Sequence, residues 1–178
     1  MPEYWDVYDA RRRPTGAILP RGVSIPGDAY ALAVNVWIRN PAGQWLMTRR
    51  APGKSEPLKW EPPGGHVLAG EDSRSAAVRE VLEEVGLALD PKAGRLFASY
   101  RRREVCWENP GFLDIWVFEA DPPISALVPR EGEVTEAKWA FSTEILHMID
   151  GGEFVPTAQF PYYRDLFRAY PERHTEEV

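Results

Sequence analysis

The stretch Gly65–Leu87 reads GHVLAGEDSRSAAVREVLEEVGL and decides the fold of this chain. From Asp72 onward, apolar residues recur every three or four positions, which is the period of a helix with one buried face. Asp72 or Ser73 can cap the start of this helix, and Gly86 can end it in the left-handed conformation. The pattern therefore predicts a helix over residues 72–85.

Three acidic residues of this helix, Glu80, Glu83 and Glu84, stand at spacing i, i+3 and i+4, so their side chains share one face. Like charges at this spacing cost roughly 0.2–0.5 kcal/mol per pair, and the C-terminal end of a helix favours cations over anions. An exposed acidic face is one interpretation. A divalent cation held between the carboxylates is the other, and it would explain why the repulsion is tolerated.

Two neighbours of the acidic residues favour the metal interpretation. Gly64-Gly65 precedes the loop at residues 67–71, where a backbone carbonyl can turn toward the same cation. Arg79 stands four residues before Glu83 and can hold that carboxylate by a two-pronged hydrogen bond. The sequence therefore predicts a metal site built from the helix and the loop before it.

The same stretch resembles the signature of the Nudix family, in which glycine, glutamate, an Arg-Glu pair, a Glu-Glu pair and a second glycine stand at fixed spacings. Every defined position is filled in this chain, by Gly65, Glu71, Arg79-Glu80, Val81, Glu83-Glu84 and Gly86-Leu87. The segments 46–50 and 59–65 also resemble the strand and loop that enter the signature in many members. The resemblance is clear over about residues 30–90.

This resemblance implies an α/β fold, an α/β/α sandwich with a mixed sheet between helices. It implies a hydrolase that cleaves a diphosphate linkage of a nucleoside diphosphate derivative, with a small phosphorylated substrate that is a nucleotide. It also implies that Glu80 and Glu84, supported by Glu83 and by the backbone carbonyl of Gly65, bind Mg²⁺ or Mn²⁺. A homodimer is expected from the habit of the family.

The resemblance extends to residues around the acidic cluster. Arg79 would orient carboxylates, and Glu71 would have a structural or secondary-ligand role. Arg50 resembles a substrate-contacting position of some relatives, so both a phosphate contact and a surface ion pair are open. Trp107 stands in a predicted loop and could stack on a nucleobase, although packing against protein is the more frequent role.

Hydrolysis also requires a carboxylate that accepts the proton of the attacking water. Glu83, Glu133 and Glu136 are the candidates, and the sequence does not choose between them. His66 follows the glycine pair and could approach the metal. Cys106 has no His or Asn at a spacing that would make it a nucleophile, so packing is its better interpretation.

The remainder of the chain predicts strands on both sides of the helix, followed by two shorter helices. The order favours a mixed sheet with helices on its faces, with Trp60 and Trp116 in the core. Residues 1–28 predict a hairpin or arm packed on a domain of residues 29–178. The predicted strands are 29–39, 44–50, 95–105, 112–119 and 134–141, and the predicted helices are one capped by Ser142 and ending at Gly151-Gly152, and one over 162–170.

Composition excludes several classes of protein. The 178 residues carry 21 basic and 27 acidic side chains, and a net charge of −6 argues against a binder of nucleic acid polymers. No apolar run approaches the roughly 20 residues that cross a bilayer, and the first residues lack a signal-peptide pattern, so no membrane association is expected. One cysteine cannot form an internal disulfide, which favours the cytoplasm.

Two other functions are open. The segment Tyr4–Glu71 also resembles isopentenyl-diphosphate isomerase, which shares the fold. The catalytic cysteine of that enzyme corresponds to Gly64, and its two metal-binding histidines correspond roughly to Ser24 and Ala31, so this chain departs from the isomerase at each position. A Nudix-fold sensor that binds nucleotides without hydrolysing them is the second alternative, although such domains typically lose the carboxylates that this chain keeps.

Overall fold

The computed structural model describes residues 3–25, 28–102, 111–156 and 162–172. Two short 3-10 helices, Pro91–Ala93 and Ile124–Ala126, lie between the regular elements. The strands and helices in chain order are β1 (Tyr4–Tyr8), β2 (Pro14–Pro20), β3 (Ala31–Arg39), β4 (Trp45–Arg50), β5 (Trp60–Glu61), β6 (Gly64–His66), α1 (Ser73–Val85), β7 (Arg95–Arg102), β8 (Gly111–Glu119), β9 (Val134–Ala140), α2 (Ser142–Asp150) and α3 (Tyr162–Ala169).

A mixed sheet forms the centre of the molecule. The strands β3 and β8 run parallel, in register from Ala31 opposite Gly111 to Arg39 opposite Glu119. The other pairings of this sheet are antiparallel: β4 pairs with β3, β5 and β9, β6 pairs with β3, and β7 pairs with β8. The predicted mixed sheet is therefore confirmed.

Helices cover both faces of the sheet. In β3, side chains alternate between the faces, so that Val34 and Val36 pack on α1 whereas Trp37 packs on α2 and α3. Apolar residues of α1 such as Val81 meet the first face, and Leu166 of α3 meets the second. These side chains are fully buried on both faces of the sheet. The architecture is the predicted α/β/α sandwich.

The helix α1 begins and ends where the sequence predicts. Asp72 is its N-cap, and a carboxylate oxygen of Asp72 accepts a hydrogen bond of 2.8 Å from the Ser75 N–H. Gly86 ends the helix with φ of 70°, and its N–H donates to the Leu82 carbonyl at 3.0 Å. These two caps fix the length of the helix, and therefore fix which residues fall in its last turns.

The predicted strands are found with ends shifted by one or two residues, and β7 is described as far as Arg102. Two strands were missed, β5 and β6, in a segment that the sequence predicted to be loop. With two and three residues, they are too short to show an alternating pattern. They matter because β6 brings the glycine pair next to α1.

The predicted cap of α2 is wrong. Phe141 occupies the N-cap position without a side-chain hydrogen bond, and Ser142 is already the first helical residue. Glu172, which follows α3, accepts hydrogen bonds from the Ser142 hydroxyl at 2.6 Å and from the Thr143 N–H at 2.9 Å. A remote carboxylate therefore satisfies the donors at this helix start, which local sequence does not reveal.

The helix α3 joins the core through a tyrosine. The hydroxyl of Tyr162 accepts hydrogen bonds from the Asn35 side-chain amide at 2.8 Å and from the Trp37 indole at 3.1 Å. Both donors belong to the central strand β3.

Among the described residues, the helices include none that is long and apolar enough to cross a membrane.

The strands β1 and β2 form a separate antiparallel hairpin that lies on the sandwich. Tyr8 and Tyr30 exchange backbone hydrogen bonds of 2.8 and 2.9 Å, which join the hairpin to the chain just before β3. At the hairpin turn, Arg12 has φ of 61° and donates two hydrogen bonds, of 2.6 and 2.5 Å, to Asp114 of β8. Asp114 is 0% exposed, so the hairpin neutralises a buried charge of the sheet.

Candidate active site

The glycine pair of β6 lets the strand fit between β3 and α1. A Cβ atom on Gly64 would overlap the carbonyl oxygen of Val34 in β3. A Cβ atom on Gly65 would lie 2.5 Å from Cδ of Glu80 in α1. The backbone of Gly65 is therefore in contact with a carboxylate of the helix, and no larger residue fits without a shift of one of them.

Glu84 is a buried carboxylate in the last turn of α1. It is 7% exposed and accepts a long hydrogen bond, 3.3 Å, from the Gly64 N–H. Within the described part of the chain, no Lys or Arg nitrogen lies within salt-bridge distance of it. Burial raises the pKa of Glu84 well above its usual value, and the charges of Glu61 and Glu80 raise this pKa further. Lys54 offsets part of this effect.

Glu80 lies one turn before Glu84, beside Gly65. Its Oε1 accepts a hydrogen bond of 2.9 Å from Arg79. Burial raises the pKa of Glu80 although Arg79 opposes this effect, and the charges of Glu83 and Glu3 raise the same pKa. The half-buried Glu80 and the buried Glu84 therefore repel each other, and protons or a cation would relieve the repulsion.

The main partner of Arg79 is Glu71, which corrects the prediction that Arg79 holds Glu83 with two hydrogen bonds. Arg79 donates to both carboxylate oxygens of Glu71, with its Nε 3.0 Å from Oε1 and a terminal nitrogen 3.0 Å from Oε2. Glu83 lies farther away, at 3.6 Å, and pairs at 3.3 Å with Arg130. The reason is that the Glu71 carboxylate, held at 3.1 Å by the Leu68 N–H, stays within the loop that Arg79 faces.

The sequence prediction missed an acidic residue of this site, Glu61 in β5. Alternation along β5 turns Trp60 toward the core under α2, so that Glu61 points to the side of α1. Burial raises the pKa of Glu61, whereas the charge of Arg50 lowers it. A strand of two residues is too short to give a pattern in the sequence that would have identified Glu61.

The side chain of Arg50 is hydrogen-bonded to other residues of the protein. It donates to Glu61 at 2.7 Å and, through Nε, to the Ser55 carbonyl at 2.6 Å, and its side chain is 11% exposed. The ion-pair interpretation of Arg50 fits this geometry, and its contact with a substrate phosphate stays a prediction. Trp107 and Cys106 lie outside the described residues.

The downstream candidates for the proton acceptor lie on different sides of the sheet. Glu133 accepts a hydrogen bond from Lys54, whose charge also reaches Glu61 and Glu84. Burial alone would raise the pKa of Glu133, but the Lys54 hydrogen bond and charge lower it overall. Glu136 lies opposite Arg49 in the strand register and pairs with it at 3.4 Å, on the face of the sheet that carries Trp60.

The donors of the site suit a hard divalent cation. Carboxylates of Glu80 and Glu84 and the backbone carbonyl of Gly65 offer oxygen atoms, which Mg²⁺ and Mn²⁺ prefer. Among the described side chains, no three of the types His, Cys, Asp and Glu already converge on one point. Glu83 instead turns to Arg79 and Arg130. The buried Glu84 and the half-buried Glu80 are thus the acidic side chains that the structure already brings together beside the glycine pair.

The fold is a three-layer α/β sandwich in which the acidic end of α1 lies beside a glycine pair. Comparison of the sequence with known families identifies the class of proteins that has these features. The profile of the NUDIX domain matches residues 29–159, so the chain belongs to the Nudix family. An uncharacterised Nudix hydrolase of Listeria monocytogenes is 34% identical over 157 residues, which cover 86% of this chain and 89% of that protein. The resemblance to this family is thereby confirmed.

The similarity to the isomerase is also confirmed, at a lower level. Isopentenyl-diphosphate Delta-isomerase of Escherichia coli is 27% identical over 150 residues, which cover 83% of this chain and 82% of the isomerase. The relatives therefore include two different activities, and only the residues of the site can distinguish these activities for this chain.

Solved structures share the fold. A Deinococcus radiodurans protein superposes with a TM-score of 0.75 at 24% identity, over 93% of this chain and 100% of that one. A bifunctional NMN adenylyltransferase/ADP ribose pyrophosphatase of Francisella tularensis, complexed with AMP and a Mn ion, superposes with a TM-score of 0.64 at 17% identity, over 82% of this chain and 42% of that one.

Proposed function

We propose that this protein is a Mg²⁺- or Mn²⁺-dependent hydrolase that cleaves the diphosphate linkage of a nucleoside diphosphate derivative. Membership of the Nudix family supports a pyrophosphate hydrolase. The observation that carries the proposal is the buried carboxylate of Glu84 next to the half-buried carboxylate of Glu80, which lies beside the Gly65 backbone. A structure without a metal-dependent role would gain stability from replacing either of them.

The residues that would hold the cation are Glu80, Glu84 and the Gly65 carbonyl, with Glu83 joining them when it leaves its arginine partners. A bound divalent cation neutralises phosphate charge and lowers the pKa of a coordinated water. Arg79 keeps Glu80 in place through its 2.9 Å hydrogen bond, while its fork to Glu71 fixes the guanidinium itself.

The chain also has to move one proton. Water adds to a phosphorus atom, the bridging P–O bond breaks, and the proton of the water passes to a carboxylate. Glu133 fits this role because Lys54, to which it is hydrogen-bonded, places it next to the cluster of Glu61 and Glu84. Glu83 is the second candidate. Glu136 faces the other side of the sheet and does not fit.

The nucleotide part of the proposal rests on the charges around the acidic residues. Cationic side chains near the site, Lys54 and Arg130, are partly exposed and could meet phosphate. In a chain of net charge −6, these groups and the cation would provide the attraction for an anionic substrate.

The isomerase alternative conflicts with the backbone of β6. The catalytic cysteine of isopentenyl-diphosphate isomerase corresponds to Gly64, where any Cβ would overlap the Val34 carbonyl oxygen. Restoring a cysteine would therefore require β6 to move away from β3. Without that thiol, the proton that isomerisation adds to the alkene has no equivalent source at this position.

The sensor alternative is a nucleotide-binding module without turnover. The described residues retain Glu80, Glu83 and Glu84, and burial raises the pKa of Glu80 and of Glu84, so the fold carries an energetic cost at both positions. Turnover in the presence of a divalent cation separates the two functions directly.

The test is a phosphate-release screen over a panel of nucleoside diphosphate derivatives, with Mg²⁺, with Mn²⁺ and with EDTA. We expect cation-dependent release of a monophosphate product from at least one class. The Glu84→Gln variant should lose that release. The control variant Glu131→Gln, which changes an exposed acid in the loop before β9, should keep it. Absence of Mn²⁺ binding, or absence of turnover on the whole panel, would overturn the proposal.

A further inference from the structure

The N-terminal hairpin is bonded to the loop that leaves the glycine pair. The Ala69 N–H donates to the Tyr4 carbonyl at 2.8 Å, and the Gly70 N–H donates to a carboxylate oxygen of Asp6, also at 2.8 Å. Two consecutive amides of the loop are therefore held by β1. Gly70 has φ of 78°, so this turn depends on a conformation that other residues rarely adopt.

A stacked pair of rings joins the same two segments. The indole of Trp5 lies on the imidazole of His66, with ring centroids 4.2 Å apart and an interplanar angle of 14°. Trp5 is 5% exposed, and its indole N–H has no acceptor in the described parts of the chain. The contact that Trp5 makes with His66 therefore uses the ring face and not a hydrogen bond.

His66 connects this stack to the carboxylates. Its neighbour Gly65 contacts Glu80, and its own carbonyl accepts a hydrogen bond of 2.9 Å from Arg79. Arg79 in turn donates to Glu80 at 2.9 Å. Any rotation of the backbone at His66 would thus displace both the Gly65 carbonyl and the guanidinium that orients Glu80.

We propose that Trp5 and Asp6 are positioning residues for the metal site, and that they act by fixing the backbone of residues 66–70. This inference rests on the proposed function. The profile of the family begins at residue 29, so the hairpin adds a support that the family pattern does not describe. Outer contacts that orient the ligands of a metal typically change its affinity about 10- to 100-fold when they are removed.

The competing explanation is that the hairpin only completes the fold. In that case, loss of Trp5 would lower the free energy of unfolding and leave metal affinity unchanged. If Trp5 positions the loop, metal affinity changes in a protein that is still folded. The two explanations therefore differ in a quantity other than stability.

The experiment measures Mn²⁺ binding to the full chain by electron paramagnetic resonance, with circular dichroism to confirm folding. Trp5→Ala and Asp6→Ala should each weaken Mn²⁺ binding by about 10-fold. Two matched variants retain the contact and should bind within about two-fold of wild type, namely Trp5→Phe, which keeps a ring face, and Asp6→Asn, which keeps an acceptor oxygen. Ile18→Ala, at an exposed position of β2, controls for general effects on the hairpin.

Wild-type affinity in folded Trp5→Ala and Asp6→Ala variants would overturn the inference. If Trp5→Ala does not fold, Asp6→Ala decides, with hydrogen exchange of the Gly70 amide showing whether the loop has been released. A wild-type protein that binds no Mn²⁺ would instead overturn the proposed function, so the two failures give different results.

Discussion

Gly65 of β6 and Glu80 of α1 lie so close together that a side chain on Gly65 would displace the Glu80 carboxylate. A Cβ atom on Gly65 would lie 2.5 Å from Cδ of Glu80. The glycine is therefore needed for two reasons, since its carbonyl is a proposed ligand and its missing side chain leaves room for another.

The first prediction concerns this contact. Gly65→Ala should push the Glu80 carboxylate away from the backbone and reduce both Mn²⁺ affinity and turnover by about 10- to 100-fold. Helix content should stay at the wild-type level because α1 keeps both of its caps. Calorimetric titration with Mn²⁺ and circular dichroism measure the two quantities, and full metal affinity in a folded variant would contradict the proposed ligand geometry.

The second prediction concerns the buried charge of Glu84. Glu84→Gln should reduce turnover by orders of magnitude and, with EDTA present, should stabilise the fold by about 1 kcal/mol because an unpaired buried charge is removed. Urea denaturation and a turnover assay measure the two effects. Glu131→Gln is the control, and equal stability and activity of wild type and Glu84→Gln would show that the site has been misassigned.

The third prediction is a pH dependence of stability. Burial raises the pKa of Glu84 above 4.5, the ordinary value for glutamate. A raised carboxyl pKa contributes stability that is complete below the ordinary value and is lost as pH rises through the folded value. Without metal, the thermal midpoint of wild type should therefore fall relative to that of Glu84→Gln as pH rises from about 4.5.

Adding Mg²⁺ should reverse this difference, because the cation binds the ionised carboxylate. Acids with a lowered pKa, such as Glu133, act in the opposite direction, and the comparison with Glu84→Gln cancels their effect. Parallel pH curves for the two proteins, with and without Mg²⁺, would argue against a buried ionisable Glu84.

The fourth prediction concerns Arg12 and Asp114. Arg12→Met should leave the fully buried Asp114 without its partner and lower the free energy of unfolding by about 3 kcal/mol. The double variant with Asp114→Asn should recover much of this loss because the buried charge is removed. Arg21→Met breaks an exposed pair with Glu3 and should cost less than about 1 kcal/mol. Urea denaturation of the four proteins tests the ordering.

The fifth prediction separates the candidates for proton acceptor. Glu133→Gln should lower kcat about 100-fold with little change in KM, and it should flatten the acidic limb of the pH–rate profile. Glu136→Gln should change kcat by less than about two-fold, since its side chain pairs with Arg49 on the other face. A loss that follows Glu136 or Glu83 instead would reassign the step.

The helix and its caps could be predicted because they depend on local spacing. Asp72, Gly86 and the apolar period of α1 all act within a few residues of one another. The mixed sheet with helices on both faces could also be predicted, because the strand segments are long enough to be recognised by their β-forming residues. The shared face of the glutamates is a consequence of the same helical period.

Features that depend on tertiary contacts could not be predicted. Arg79 has one acidic neighbour at helical spacing, Glu83, but the folded loop offers Glu71 in better geometry. Glu61 has no place in the family signature, and its position follows from a strand of two residues. Likewise, the start of α2 is capped by Glu172, which stands 30 residues beyond Ser142 in the sequence.

The hairpin and α3 have a consequence for how this protein could be shortened. A fragment cut to residues 29–159 would contain the whole family profile but would lack Arg12 and Tyr162. It would leave the buried Asp114 without its arginine partner and Asn35 without its tyrosine acceptor, so we expect it to precipitate or stay unfolded. We therefore expect the segment needed for independent folding to be longer than the segment that the family profile matches.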